Sequence, residues 1–201
     1  MIPTCATPRL ILASSSSYRR ALLARLGLPF EVMAPDLDEA ALAGETPPAT
    51  ALRLAKAKAG AVAARAPGSV VIGSDQVATL DGVQIGKPGN HANALHQLQT
   101  MRGRRVVFHT ALCVWDSRPG GVVQLDNIEA VVTFRDLPDA ELDAYLRIEQ
   151  PYDCAGSAKN EALGIALLER IDSTDPTALT GLPLIALTSM LRQAGFSFFQ
   201  T

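Results

Sequence analysis

The sequence predicts an α/β fold: a mixed, twisted sheet flanked by helices on both faces, with an antiparallel arm. Three observations lead there. Strand-like and helix-like patterns alternate through the first half of the chain, which favours strands joined by crossover helices. Strand patterns then cluster around two turn signals, Asp81-Gly82 and Pro119-Gly120-Gly121, which favours antiparallel pairing. Finally, 201 residues at 48% hydrophobic content suffice for a full core, so residues 1–201 read as one domain, with two lobes around a central cleft.

Arg9–Ala13 reads as a buried strand, and Ser17–Leu26 as a helix with Leu22, Leu23 and Leu26 on one face, ended by Gly27. Phe30–Met33 is a second strand, followed by the acidic loop Asp36-Leu37-Asp38-Glu39. Thr46-Pro47-Pro48 supplies a cap and first-turn prolines for an alanine-rich helix through Ala64, and Pro67-Gly68 ends it. Val70–Ser74 is a short apolar strand of the central-sheet type, while Val77–Leu80 and Val83–Ile85 flank the Asp81-Gly82 turn as a hairpin. Asn90 caps a helix over His91–Met101. Arg105–Trp115 and Val122–Arg135 form a long antiparallel ribbon. Leu137-Pro138-Asp139 opens a helix to Glu149 with Leu142, Tyr145 and Leu146 at helical spacing, closed by Gln150-Pro151. Cys154–Lys159 is a small-residue loop, Ile165–Ile171 a strand, and Leu182–Ala194 a final helix stopped by Gly195.

Charge and cysteine usage narrow the function. Eighteen basic and twenty acidic residues give a net charge of −2, so no global positive field exists to hold a nucleic acid polymer. Cys5, Cys113 and Cys154 are odd in number and widely spaced, which suits reduced thiols in a cytoplasmic protein better than disulfides or a zinc site. His91, His96 and His109 add no metal-ligand spacing, and no apolar run approaches the ~18 residues of a membrane span.

Chemistry concentrates in a few places. The run Leu10 to Gly27 takes an apolar strand into Ser14-Ser15-Ser16-Ser17, then Tyr18 and the pair Arg19-Arg20 at a helix start. Hydroxyls, free backbone N–H groups and the helix dipole would together favour an anion there, and an arginine can add a fork of donors. The plainer reading is one capping serine and two solvated arginines. Asp75 follows the apolar strand, where a carboxylate can face a cleft; it is the best candidate acid or base, against a plainer role in starting a turn. Asp38 and Glu39 could supply the one or two carboxylates that magnesium takes beside substrate phosphates, or could simply be solvated. Lys56 and Lys58 point about 200° apart on their helix, so only one can face the cleft. Lys87 is held in a stiff loop between Gly86 and Pro88. With neither GxxxxGK[ST] nor GxGxxG present, any phosphate binding falls to these side chains and the Ser14–Arg20 helix start. Together they suit hydrolysis of a nucleotide polyphosphate.

These segments resemble the Maf family of nucleoside triphosphate pyrophosphatases, whose architecture is like that of the inosine triphosphate pyrophosphatases. The resemblance rests on Leu12-Ala13-Ser14-Ser15-Ser16 with Arg19-Arg20, Asp38-Glu39, Arg53-Leu54-Ala55 with Lys58-Ala59, Ile72-Gly73-Ser74-Asp75, Gly86-Lys87-Pro88, and Ala155-Gly156-Ser157 with Gly181-Leu182-Pro183. It implies cleavage between the α and β phosphates, with a divalent cation, magnesium or manganese, as cofactor. By the same carry-over Asp75 is the proton acceptor, aided by Lys58 and Lys87. Ser14, Arg19 and Arg20 hold phosphates, and Glu39 with Asp75 binds metal. A homodimer is also implied.

Base preference divides the family at three positions, here Tyr18, Gln76 and Glu161. The branch acting on dTTP and UTP carries arginine, threonine and glutamine there; the branch acting on 7-methyl-GTP carries an aromatic residue, glutamine and glutamate. This chain is similar to the second. Physical chemistry agrees, because a methylated, cationic guanine stacks well on an electron-rich ring such as Tyr18. An ionised Glu161 can accept from the ring N1–H and the exocyclic amine, whereas a uracil or thymine edge would face it with a carbonyl. Ser17 stands where the family commonly has proline, and Tyr18 where this branch often has tryptophan. The expected function is removal of 7-methyl-GTP from the nucleotide pool. The alternatives are a pyrophosphatase of dTTP, UTP or other modified nucleotides, and a nucleotide-binding regulator of cell division, a process to which the family has been linked.

Overall fold

A computed structural model describes residues 8–199; Cys5 lies outside them. In chain order the elements are β1 (Leu10–Ala13), α1 (Ser17–Ala24), β2 (Glu31–Val32), α2 (Pro47–Ala63), β3 (Val70–Leu80), β4 (Val83–Ile85), α3 (His91–Met101), β5 (Arg105–Asp116), β6 (Val123–Phe134), α4 (Asp139–Glu149), β7 (Leu168–Ser173) and α5 (Leu184–Gln193). The strands form one sheet in the order β2-β1-β3-β5-β6-β7, with β4 paired to β3. β1 runs parallel to β2 and β3, and all other pairs are antiparallel. The mixed sheet with an antiparallel arm matches the expectation.

Alternation of side chains along the strands sorts the core into two faces. On one, Ile11, Ala13, Val71, Val77, Ala111 and Cys113 pack under the alanines of α2. On the other, Leu10, Leu12, Val70, Ile72, Leu112 and Val114 pack with Leu22 and Leu23 of α1 and Leu187 and Leu191 of α5. Farther along that second face, Ala78, Phe108, Ala130, Val132 and Phe134 meet α3 and α4 through Leu98, Met101, Leu142 and Leu146. Polar Ser74, Gln76 and Thr110 lie between these last two clusters, so the apolar layer is interrupted in mid-sheet.

Two expectations about strands need correction. β3 is one strand rather than two, so Asp75 lies inside it and does not follow its end. The reason is β5, whose register with β3 runs unbroken from Val70↔Asp116 to Thr79↔Val107 and keeps the backbone extended through the polar residues. The cleft arises at the other edge: β1 pairs only as far as Gly73 and β4 begins only at Ala78, leaving residues 74–77 without a strand there. Second, Leu163–Leu167 forms a 3-10 turn and β7 begins at Leu168, because Gly164 presses against the Lys159 backbone, where a Cβ would lie 2.5 Å from its nitrogen. The Asp81-Gly82 turn has both residues at positive φ, 50° and 79°, as a two-residue hairpin requires. No helix among the described residues is long and apolar enough to cross a membrane.

Candidate active site

Gly73 sets the spacing between α2 and the sheet. A Cβ there would sit 2.2 Å from the Ala55 carbonyl oxygen and 2.7 Å from the Ala59 nitrogen, so only glycine lets the helix lie so close. That approach brings Lys58 to Asp75, two residues along β3 on the same face. Lys58 Nζ donates to Asp75 Oδ1 at 2.7 Å and to Glu39 Oε2 at 2.7 Å. Lys58 and Asp75 are 4% and 6% exposed, whereas the Glu39 side chain is 55% exposed. Burial pushes the Asp75 carboxyl above the usual carboxylate range, against the opposing pull of the Lys58 and Arg19 charges. Lys56 is exposed, as the helical angle between the two lysines requires. Asp38 is exposed and accepts from the Ala40 N–H at 3.0 Å, whereas Asp36 and Glu39 of this loop line the larger cavity and only Glu39 accepts from Lys58.

The serine run leaves β1 in a tight turn. Ser14 Oγ accepts from the Ser16 N–H at 3.1 Å, and Ser16 Oγ caps α1 by accepting from the Arg19 N–H at 3.3 Å. Arg19 Nε donates to the Gly181 carbonyl at 2.8 Å, and Ser74 Oγ donates to the same oxygen at 3.0 Å. Burial lowers the Arg19 pKa, while the Asp75 and Glu39 carboxylates act the other way. Arg20 is exposed and lines neither cavity described below. Along α1, Ser17, Tyr18 and Arg19 line the larger cavity and Arg20 turns to solvent.

Two cavities meet around Tyr18. The larger, 790 Å³, is polar and is lined by Ser14, Ser15, Ser16, Arg19, Glu39, Lys58 and Lys87, among others. The smaller, 170 Å³, combines apolar walls from Phe108, Val132, Phe134, Leu168 and Leu179 with polar groups that include Gln76, Asn160, Glu161 and Thr180. Gln76 Nε2 lies 3.0 Å from both the Ala178 and Leu179 carbonyls and 2.9 Å from Thr110 Oγ1, three acceptors for its two hydrogens. Two main-chain carbonyls can only accept, which fixes the amide orientation and leaves Oε1 as an acceptor. Burial raises the Tyr18 phenol pKa, so the ring is neutral, and its hydroxyl lies 3.9 Å from Cys154 Sγ. Lys87 is exposed and lines both cavities, in a loop whose Gly86 and Pro88 carbonyls accept from Gln97 and Asn93 of α3, each at 3.0 Å.

Sequence reasoning passed over Asp153, Arg65 and Asp175. Asp153 lines both cavities, and Arg65, bonded to the Ala34 carbonyl at 2.5 Å, lines the larger. Asp175 is 2% exposed and accepts from the Ile185, Ala186 and Thr177 N–H groups at 2.7, 3.3 and 3.1 Å and from Thr177 Oγ1 at 2.7 Å. It thereby caps α5 from outside the helix and ties down the segment that presents the Ala178, Leu179 and Gly181 carbonyls. Neither cavity role has a local signal, since both depend on loops meeting in space. Asp175 in Asp175-Pro176-Thr177 could have been flagged as a turn former, although not as a remote cap.

The donor set near Lys58 is two carboxylates with no sulfur or imidazole, and no group of three or more His, Cys, Asp and Glu able to hold a metal occurs among the described residues. Such a set fits a hard cation that keeps water and phosphate oxygens, not a zinc-type cage.

The profile of the Maf-like protein family matches residues 9–194. A 7-methyl-GTP pyrophosphatase of Burkholderia orbicola (strain AU 1054) is 68% identical over 200 residues, 98% of this chain and 95% of that protein. Another, from Cupriavidus metallidurans (strain ATCC 43123 / DSM 2839 / NBRC 102507 / CH34), is 67% identical over 192 residues, 96% of each chain. Among solved structures, a HAM1 protein from Coxiella burnetii shares the fold at a TM-score of 0.52 and 15% identity, covering 92% of this chain and 99% of that one. With its profile spanning nearly the whole sequence, and relatives this similar over nearly their full lengths, the chain belongs to the Maf family.

Proposed function

We propose that this protein is a nucleoside triphosphate pyrophosphatase that hydrolyses 7-methyl-GTP to 7-methyl-GMP and pyrophosphate. The observation that carries the reading is the junction, around Tyr18, of a polar cavity that Lys58 and Arg65 line with a smaller one that pairs apolar walls with Gln76 and Glu161, Arg19 and Lys87 lining both. A triphosphate suits the first and a purine the second. The names of the relatives, at 68% and 67% identity, support the substrate.

In this reading Arg19, Lys58 and Lys87 neutralise phosphate charge, with the Ser14–Ser16 turn supplying neutral donors. Asp75, whose raised pKa brings it closer to neutral pH, takes a proton from the water that attacks the α phosphorus. The new bond is from water oxygen to phosphorus, the α–β bridging bond breaks, and pyrophosphate leaves with the electron pair. Glu39 and Asp75 would hold a divalent cation, magnesium or manganese, which supplies charge neutralisation at the phosphates when bound. Tyr18 stacks on the cationic base. Glu161 and the Gln76 oxygen accept from its N–H groups, and the same carboxylate disfavours a pyrimidine edge. The free thiols of Cys113 and Cys154 support a cytoplasmic setting.

The test is a nucleotide panel with magnesium or manganese, products being resolved as pyrophosphate or single phosphates. Pyrophosphate released fastest from 7-methyl-GTP, abolished by chelation and restored by either metal, is the expected result. Fastest release from dTTP or UTP, or turnover of none, overturns the assignment.

A further inference from the structure

Five side chains line both cavities: Ser16, Tyr18, Arg19, Lys87 and Asp153. If one cavity takes the base and the other the phosphates, as proposed above, the sugar that links them must cross this junction. Four of the five suit their neighbours: Arg19 and Lys87 are cations beside a polyanion, Tyr18 is a stacking ring, and the Ser16 hydroxyl, which accepts from the Arg19 N–H, keeps its proton to donate. Asp153 does not. A carboxylate at the entrance to a triphosphate site repels the substrate unless it engages donors, and the donors that pass it are the hydroxyls of a ribose.

The geometry points to Asp153 as the residue that reads the sugar, its carboxylate accepting hydrogen bonds from the 2′ and 3′ hydroxyls and selecting ribonucleotides over 2′-deoxyribonucleotides. A carboxylate with two oxygens matches a vicinal diol, the same chemistry by which acidic residues hold ribose in dinucleotide-binding folds. Its backbone is held in place from both sides. The Tyr152 carbonyl accepts from the Gly89 N–H at 3.0 Å, the Tyr152 hydroxyl lies 3.1 Å from His91 Nδ1, and the Cys154 N–H donates to the Pro151 carbonyl at 3.3 Å. The loop bearing Asp153 is thus tied to the loop bearing Lys87. Cys154 Sγ, 3.5 Å from Asp153 Oδ1, is the one side-chain partner seen for this carboxylate among the described residues, and it is a weak donor. Asp153 is exposed, so its acceptor capacity faces the cleft and solvent.

The inference rests on the nucleotide reading, and the experiment separates the two. Compare kcat/KM for 7-methyl-GTP and its 2′-deoxy counterpart in the unmodified protein, Asp153→Asn and Asp153→Ala, and measure equilibrium binding of the two monophosphate products to each. The unmodified protein is expected to favour the ribose form about tenfold, the size of one hydrogen bond to a charged acceptor. Asp153→Ala then handles both sugars alike, at the level of the deoxy form, and Asp153→Asn, which keeps one neutral acceptor, retains part of the preference. Equal handling of both sugars by the unmodified protein overturns the inference, as does a preference that survives in Asp153→Ala. A uniform loss on both sugars also overturns it and assigns Asp153 to phosphate or metal. Absence of binding and turnover with every nucleotide defeats the nucleotide reading as well, a result distinct from the other three.

Discussion

Lys58 and Asp75, 17 positions apart in sequence, form a 2.7 Å ion pair in which both side chains are almost wholly buried, and the same ammonium reaches Glu39 at 2.7 Å. One cation therefore offsets the Coulomb repulsion between two carboxylates, Glu39 in the lining of the larger cavity and Asp75 buried and in the lining of neither. Removing it should be felt by both.

Lys58→Met leaves Asp75 buried without its principal counter-charge, so the Asp75 carboxyl should titrate still higher than in the unmodified protein, where burial already raises it. Carboxyl 13C shifts followed against pH check this directly. The base form is the deprotonated one, so the acid limb of kcat/KM attributable to Asp75 lies above the ordinary carboxylate range. The stability linkage has the opposite sense: a raised folded pKa contributes stability below the unfolded value, and that contribution is lost as pH rises through the raised one. Turnover in Lys58→Met should fall by about 10²–10³. An Asp75 pKa unchanged or lowered by the substitution would refute the electrostatic account.

Gly73→Ala places a methyl group 2.2 Å from the Ala55 carbonyl oxygen, a contact that only movement of α2 can relieve. We expect a loss of about 3 kcal/mol in urea unfolding and a drop in turnover, because the helix that moves carries Lys58. Unchanged stability would mean that α2 can shift freely.

Asp175→Ala strips the α5 N–H groups and the Thr177 hydroxyl of a buried acceptor. A cost of about 2–4 kcal/mol follows from the unpaired donors. Because the same segment presents the Gly181 carbonyl to Arg19 and Ser74, KM should rise more than kcat falls at temperatures where the variant is folded. A change in stability with KM intact would limit Asp175 to a structural role.

Glu161→Gln keeps shape and removes charge at the small cavity. The preference for 7-methyl-GTP over UTP should narrow about tenfold, mainly through loss of turnover of the methylated nucleotide. Competition assays with both nucleotides present read this ratio, and an unchanged ratio removes Glu161 from base selection.

Local sequence made much of this legible. Asn90 caps His91–Met101 as expected, and the ribbon of β5 and β6 turns where the Pro119-Gly120-Gly121 signal lies. Caps and turns depend on neighbours along the chain, so their chemistry can be read in place. Lys58 rather than Lys56 facing the sheet follows from helical geometry once Asp75 is assigned to the cleft. That Arg19 lines the cavities and Arg20 faces solvent was not legible, because the direction in which α1 faces depends on Leu22 and Leu23 packing against β1 and α5.

By itself, then, the sequence determined the helices, most of the strands, the mixed sheet and the inventory of charged groups, because propensity, capping and periodicity act over a few residues. Tertiary structure alone decided that β3 runs unbroken through Asp75, that the gap between β1 and β4 exposes its edge, and that Asp153 and the carbonyls held by Asp175 join the site. Those outcomes depend on pairing with β5 and on loops far apart in the chain, where register and burial are settled by the whole core rather than by any one segment.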